Sequence, residues 1–190
     1  MSLFELHLPP GLLYLNDWLS DLEHQEAVAA IDGLPFGEQL SRRTQHYGYF
    51  YDYNASEVNL ANPAPNPPSD LVQLAQRLAD EGYFHRVPDQ IIVNEYLAGQ
   101  GIAEHIDRNS FGPVVATVSL LESWEMVFRS PHGEKNEVLL QRASLALMTG
   151  ESRSLWTHEI MKRQNDYVGG LKVPRGRRLS ITFRTVNQND

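Results

Sequence analysis

Apolar and polar positions follow two different rhythms along this chain, and the change of rhythm divides it. In the first half the apolar positions recur at helical spacing. Leu71, Leu74, Ala75 and Leu78 predict a helix that begins near Ser69 and Asp70 and stops at Gly82. Ser20-Asp21-Leu22-Glu23 has the form of a capping box and places the start of an earlier helix there. Its apolar face would use Leu22, Ala27, Ala30 and Ile31, with Gly33 and Pro35 ending it. A short strand, 12–15, precedes it. Between the helices, Tyr47, Tyr49, Tyr51 and Tyr53 alternate as one face of a strand would, and four prolines within 62–69 predict an extended connector. From Gln90 onward the period becomes two, predicting strands over 90–97, 114–121, 124–129, 137–140, 144–149, 156–160 and 178–185. Helices followed by many short strands imply an α+β fold: a two-sheet jelly roll, or double-stranded β-helix, buttressed by N-terminal helices.

Composition changes that picture in three respects. With 190 residues, 42% of them apolar, the chain suits one domain with a full core. It has no cysteine, so disulfides and thiolate metal sites are excluded, and any metal must be held by His, Asp, Glu or solvent. The N-terminal segment has no basic leader and no stretch is apolar enough to span a membrane, so no membrane partner is expected and a cytoplasmic setting is compatible. The net charge of −8 opposes non-specific binding to polyanions. Positive charge is nevertheless clustered at Arg42-Arg43, Lys162-Arg163 and 172–178, which is either a local basic surface or a set of solvated loops.

Candidate chemistry centres on His105-Ile106-Asp107. In an extended strand residues i and i+2 share a side, so this pair can offer an imidazole and a carboxylate to one ion. The spacing alone is weak: with 7 His and 24 acidic residues, chance yields about one His-x-acid match, and the chain has three. His24-Gln25-Glu26 falls in a helical pattern, where i and i+2 diverge, and His132-Gly133-Glu134 reads as a hairpin tip. Only His105 and Asp107 follow a hydrophobic strand and a Gly-x-Gly bend. His158, 51 residues beyond Asp107, is the candidate third ligand on a late strand. Two histidines and a carboxylate leave three positions open, the arrangement of non-haem Fe(II) oxygenases.

The stretch Arg178-Leu179-Ser180-Ile181-Thr182-Phe183-Arg184 places Arg178, Ser180, Thr182 and Arg184 on one face and the apolar residues on the other. Arginines on the inner face of a core strand demand anions, and a dicarboxylate supplies two; the alternative is a half-exposed edge strand. The aromatics beside Arg42 and Arg43 offer a comparable choice between stacking a nucleic-acid base and ordinary sheet packing.

Asn94-x-Tyr96, Gly99-x-Gly101, His105-x-Asp107, the block from Met148 to His158 and Arg178-x-Ser180-x-Thr182-Phe183-Arg184 together resemble the AlkB family of Fe(II)- and 2-oxoglutarate-dependent dioxygenases. Within it, Gln45-His46-Tyr47-Gly48 and 148–158 resemble in particular the dioxygenase domain that hydroxylates a wobble-uridine side chain in tRNA. The resemblance implies one dioxygenase domain over 1–190, with an N-terminal extension and substrate lid in 1–90 and the jelly-roll core in 90–186, and without the RNA-binding and methyltransferase domains that flank that relative.

It further implies that His105, Asp107 and His158 bind Fe(II) and that Arg178 clamps the distal carboxylate of 2-oxoglutarate. Asn94, Tyr96 and Ser180 would complete the cosubstrate site, with Arg184 near its C1 end. The implied reaction consumes O2 and 2-oxoglutarate, releases succinate and CO2, and oxidises a C–H bond of a modified base in RNA or single-stranded DNA. Arg42, Arg43, Tyr47 and Tyr49 fall in the implied substrate region. Asn109 stands where members acting on cationic bases resemble a pattern with an acidic residue, which implies a neutral base here. The acidic net charge keeps open a hydroxylase of a protein side chain or small metabolite, and a non-catalytic binding module is the third reading.

Overall fold

The computed structural model describes residues 8–52, 57–168 and 170–187. Tyr53 and the first seven residues lie outside them. Strand β1 (Leu12–Leu15) leads to helix α1 (Asp21–Asp32), where the capping box forms as its sequence requires. The Ser20 hydroxyl accepts from the Glu23 N–H at 3.3 Å, and the Glu23 carboxylate accepts from the Ser20 N–H at 2.8 Å. The buried face differs from the expected one. Leu22 is 64% exposed, while His24, Ala27 and Ile31 are buried. Ile31 lies nine positions beyond Leu22, about two and a half turns, so the two side chains point in opposite directions. His24 takes the inward position because its Nε2 accepts the Leu121 N–H at 3.1 Å. Helix α2 (Ser69–Asp80) buries Leu71, Leu74, Ala75 and Leu78, the four residues its periodicity selects.

The aromatic stretch is two strands rather than one: β2 (Arg43–Tyr47) and β3 (Tyr49–Asp52), the latter paired with β4 (Glu57–Pro63) in a separate ribbon. Gly48 makes the break. Its φ is +77°, and a Cβ there would lie 2.0 Å from the Asp89 carbonyl oxygen, so only glycine lets the chain turn at this point.

Beyond it come β5 (Gln90–Tyr96), β6 (Ile102–His105), β7 (Phe111–Leu121), β8 (Trp124–Arg129), β9 (Lys135–Leu140) and β10 (Leu145–Met148). Helix α3 (Gly150–Ser154), β11 (Thr157–Ile160), β12 (Asn165–Val168), β13 (Leu171–Pro174) and β14 (Arg178–Val186) complete the described chain. The seven strands expected from residue 90 onward each overlap one of these. Helix α3 and the β12–β13 hairpin lie in stretches whose pattern predicts no element.

Two antiparallel sheets carry the fold, a six-stranded one in the order β1-β10-β7-β14-β5-β2 and a four-stranded one in the order β6-β11-β8-β9. Register sorts the residues of the larger sheet between its faces. Ile181 of β14 lies opposite Val118 and Val93, and Phe183 opposite Ala116 and Ile91. These form the core under α1 and α2, with Ile31, Leu71 and Leu78. The other face, with Tyr96, Val115 and Met148, packs towards Trp124, Met126, Phe128 and Ile160 of the smaller sheet. The molecule is thus the helix-backed, two-sheet jelly roll that the change of rhythm predicts.

Candidate metal centre and anion pocket

A cavity of about 600 Å³ opens between the sheets, and all three metal-ligand candidates line it. His105 on β6 lies directly opposite His158 on β11, their ring centroids 4.3 Å apart. Asp107 joins them by another route than the shared strand face, because β6 ends at His105. It stands in the loop beyond, yet one ligand atom from each of the three lies within 4.8 Å of the others. The close approach of β6 to β11 depends on Gly101, where a Cβ would lie 2.1 Å from the Ile160 carbonyl oxygen.

The donor atoms are prepared for a cation. His105 Nδ1 lies 2.8 Å from the Ala103 carbonyl oxygen; a carbonyl only accepts, so Nδ1–H donates and Nε2 is the nitrogen left for a ligand bond. Burial, with the positive charge of Arg184, Arg153 and His105, pushes His158 down to about 4 despite the opposing pull of Asp107. Its imidazole is therefore neutral at neutral pH, as a metal ligand must be. Burial alone would raise Asp107, but Arg184, the two histidines and Arg153 outweigh it and hold the carboxyl at about 2. One carboxylate oxygen accepts from Arg184 at 2.6 Å. The other, Oδ2, is buried without a hydrogen-bond donor, 3.7 Å from His158 Nε2. An orphaned carboxylate oxygen beside two imidazoles fits a divalent transition-metal ion.

A second unsatisfied group lies further along β14. Arg178 is 0% exposed, and only Nη2 has a partner, donating to Ser119 Oγ at 2.9 Å; Nε and Nη1 have none. Burial lowers its pKa to about 10, which leaves it charged at neutral pH. A desolvated guanidinium with Nε and Nη1 unpartnered calls for an anion such as a carboxylate. Ser180 and Thr182 share its face, and register sets Tyr96 opposite Arg178 and Asn94 opposite Ser180, all of them on the cavity wall. Arg184 lines the cavity too, but it is engaged with Asp107 and, at 3.3 Å, with Gln90.

The expected substrate-side residues divide. Arg42 reaches the cavity and donates to Asn94 Oδ1 at 2.8 Å. Arg43 and Tyr47 do not. Through β5, Arg43 shares a row with Leu179 and Tyr47 with Phe183, so both are on the helix-backed face. Arg43 pairs with Glu95 at 2.5 Å, and Tyr47 is buried in the core. Tyr49, past the Gly48 turn, and exposed Asn109 are not among the lining residues either. Tyr51, of the same aromatic series, does line the cavity.

Arg153 was not singled out by sequence reasoning, although it belongs to the 148–158 block, and its buried guanidinium donates to the Asp107 and Arg108 carbonyls at 2.8 and 2.7 Å. The basic clusters are largely consumed in ion pairs. Arg163 is held by Glu125 and Asp166, Arg175 by Asp166, and Arg177 by Asp32 and Glu95. No helix among the described residues is long and apolar enough to cross a membrane.

A family model described as the 2OG-Fe(II) oxygenase superfamily matches residues 11–184. The Mus musculus protein named tRNA (carboxymethyluridine(34)-5-O)-methyltransferase ALKBH8 is 35% identical over 95% of this chain. That match covers 31% of the mouse protein, so the chain spans about a third of its length. An uncharacterized protein of Acanthamoeba polyphaga mimivirus, L905, is 32% identical over 93% of this chain and 85% of its own. Among solved structures, OsALKBH1 shares the fold with a TM-score of 0.64, at 19% identity, over 94% of this chain and 98% of that one.

Proposed function

This chain belongs to the 2OG-Fe(II) oxygenase superfamily and to its AlkB-like enzymes, and on that premise we propose that it oxidises a modified base in nucleic acid, RNA or single-stranded DNA. It is a 2-oxoglutarate-dependent dioxygenase with Fe(II), 2-oxoglutarate and O2 as its cofactors. The proposed unit is one dioxygenase domain over 1–190, and the oxidation is a hydroxylation or an oxidative dealkylation.

His105, Asp107 and His158 would hold the iron. When bound, Fe(II) couples the decarboxylation of 2-oxoglutarate by O2 to oxidation of a substrate C–H bond. The observation that carries the assignment is the pair of orphaned buried groups, Asp107 Oδ2 and the Arg178 guanidinium, in one cavity. Arg178 receives the distal carboxylate in its planar fork, a geometry lysine cannot copy. Asn94, Tyr96 and Ser180 share the cavity wall with Arg178 and the metal-ligand candidates and would complete the cosubstrate site. Arg184 fixes one Asp107 oxygen and so presents the other. Arg178 and Asp107 are buried, which strengthens the charge interactions along this wall.

Nucleic acid is supported by the tRNA in the mouse relative's name and by the cavity wall, where Arg42 and Arg108 accompany Tyr51, its ring tilted against Phe111 at 5.8 Å. A base must leave its stack to reach an enclosed site, which costs least in a loop or single strand. The net charge of −8 and the paired basic clusters favour the second reading, a protein side chain or small metabolite as substrate. The test is succinate release with single-stranded RNA and DNA carrying modified uridine, 1-methyladenine or 3-methylcytosine, with mass spectrometry of the digested strands. Substrate-stimulated succinate with an oxidised base is expected. Stimulation by a peptide or metabolite alone would replace the proposal with the second reading, and no turnover under any condition would leave a binding module.

A further inference from the structure

We infer that Arg153 is a positioning residue for Asp107, holding the backbone of the loop that presents the carboxylate; the inference rests on the metal-site reading above. Asp107 lies two residues past the end of β6, and β7 does not begin until Phe111. No sheet ladder therefore fixes residues 106–110, although a metal ligand must be held to within about 0.5 Å of its working position. Asn187 ties the far end of this loop, its N–H donating to the Ser110 carbonyl at 2.9 Å and its Nδ2 to the Asn109 carbonyl at 2.8 Å, and a guanidinium holds the near end, at Asp107 itself. Arg153 Nη1 donates to the Asp107 carbonyl at 2.8 Å, and Nη2 to the Arg108 carbonyl at 2.7 Å and the Phe111 carbonyl at 3.4 Å.

The base of this side chain is anchored. The Ser152 N–H donates to the Pro10 carbonyl at 2.8 Å and the Thr149 N–H to the Gly11 carbonyl at 3.0 Å, which ties the N-cap and the middle of α3 to the segment before β1. Trp156, buried in the core between the sheets, closes α3 through its N–H to the Glu151 carbonyl. Five residues after Arg153 the same segment delivers His158. One stretch of chain thus provides one metal ligand directly and sets the loop that carries another.

A purely structural role does not account for the choice of residue. Arg153 is 6% exposed, and its hydrogen bonds among the described residues all go to main-chain carbonyls. Desolvating a cation against carbonyls alone is costly, and an apolar side chain would fill the space at less expense. What only arginine combines is a planar fork that reaches several carbonyls and a charge near Asp107.

The test measures Co(II), as a stable surrogate for Fe(II), binding to the full chain by calorimetry and by its visible d–d absorption. Arg153→Gln should bind Co(II) roughly 10–100-fold more weakly, the range for loss of a group that supports a ligand, with an altered spectrum and a retained cooperative melt. Arg153→Lys should recover affinity only in part, because one ammonium cannot span the three carbonyls. A folded Arg153→Gln with wild-type affinity and spectrum overturns the inference; should the Gln variant not fold, the same result in Arg153→Lys does so. His158→Ala is measured alongside. If it loses Co(II) while the Arg153 variants keep it, only the inference fails; if it too binds normally, the metal-site reading fails.

Discussion

Both faces of β14 are largely buried, and they obey opposite rules. On the helix side Leu179, Ile181 and Phe183 are all 0% exposed and belong to one apolar cluster with residues of α1 and α2. On the cavity side Arg178 and Ser180 are buried as completely, yet three nitrogens in this row, Nε and Nη1 of Arg178 and Nε of Arg184, have no hydrogen-bond partner. Depth is therefore not what separates core from site; satisfaction is. Native proteins pair nearly all their buried polar groups, so a row left incomplete marks where something else supplies the partners.

The contrast can be broken most decisively on the polar face. His158→Ala should abolish Fe(II)-dependent succinate formation while leaving the protein folded, and normal activity with normal iron binding would move the centre elsewhere. The apolar face should respond in stability alone. Phe183→Ala should cost ~3–5 kcal/mol in urea unfolding, with the 2-oxoglutarate affinity of the folded fraction unchanged; a large change in that affinity would show that the two faces are not independent.

Acid should also find the polar side first. His46 on β2 lies opposite Ile92, itself opposite Thr182, so it extends the cavity-facing row. Burial, then the charges of Arg184 and Arg42, push it from 6.5 down to about 4. Below pH 6.5 the unfolded chain takes up a proton that the folded one refuses until about pH 4. Stability is thus present above this window and falls as pH drops through it, by roughly 3 kcal/mol for this group when complete. Melting temperatures from pH 7 to 4.5 should show the slope, and His46→Gln should flatten it, leaving the part due to His158. An unchanged slope in that variant would exclude His46 as a source.

The sharpest comparison is Arg178→Lys, which keeps the charge and loses the fork. Its 2-oxoglutarate binding by calorimetry should weaken by ~1.5–3 kcal/mol, the size of a charge-assisted hydrogen bond. Wild-type affinity there would place the clamp on another residue. The smallest effect is expected at Leu22, which sits away from both faces: Leu22→Ala should change stability by no more than about 0.5 kcal/mol, and a larger loss would mean that α1 packs differently.

Local rules were legible wherever the physics is local. The capping box at Ser20, the stripe from Leu71 to Leu78 and the alternation from Arg178 to Arg184 each depend on neighbours within a turn or a pleat, and each stands as its pattern predicts. The pairing of His105 with His158 was legible only as a candidate, since His-x-acid matches arise by chance and the 51 intervening residues carry no distance information. Leu22 shows the limit within a single helix: an apolar residue was assigned to a face by its type, and angular position decided otherwise.

By itself the sequence determined the helix-then-strand order, the two-faced strand at the end of the chain and a donor set restricted to His, Asp and Glu, because composition and periodicity depend on residue type and spacing alone. Only the tertiary structure decided which aromatics and arginines reach the cavity. The register of β2 against β5 turns Tyr47 and Arg43 to the helix side, and a one-residue slip would have reversed them. It also decided that Asp107 stands off its strand and that Arg153, 46 positions away, holds the loop that presents it. Such contacts join residues with no neighbouring sequence in common, so no local pattern encodes them.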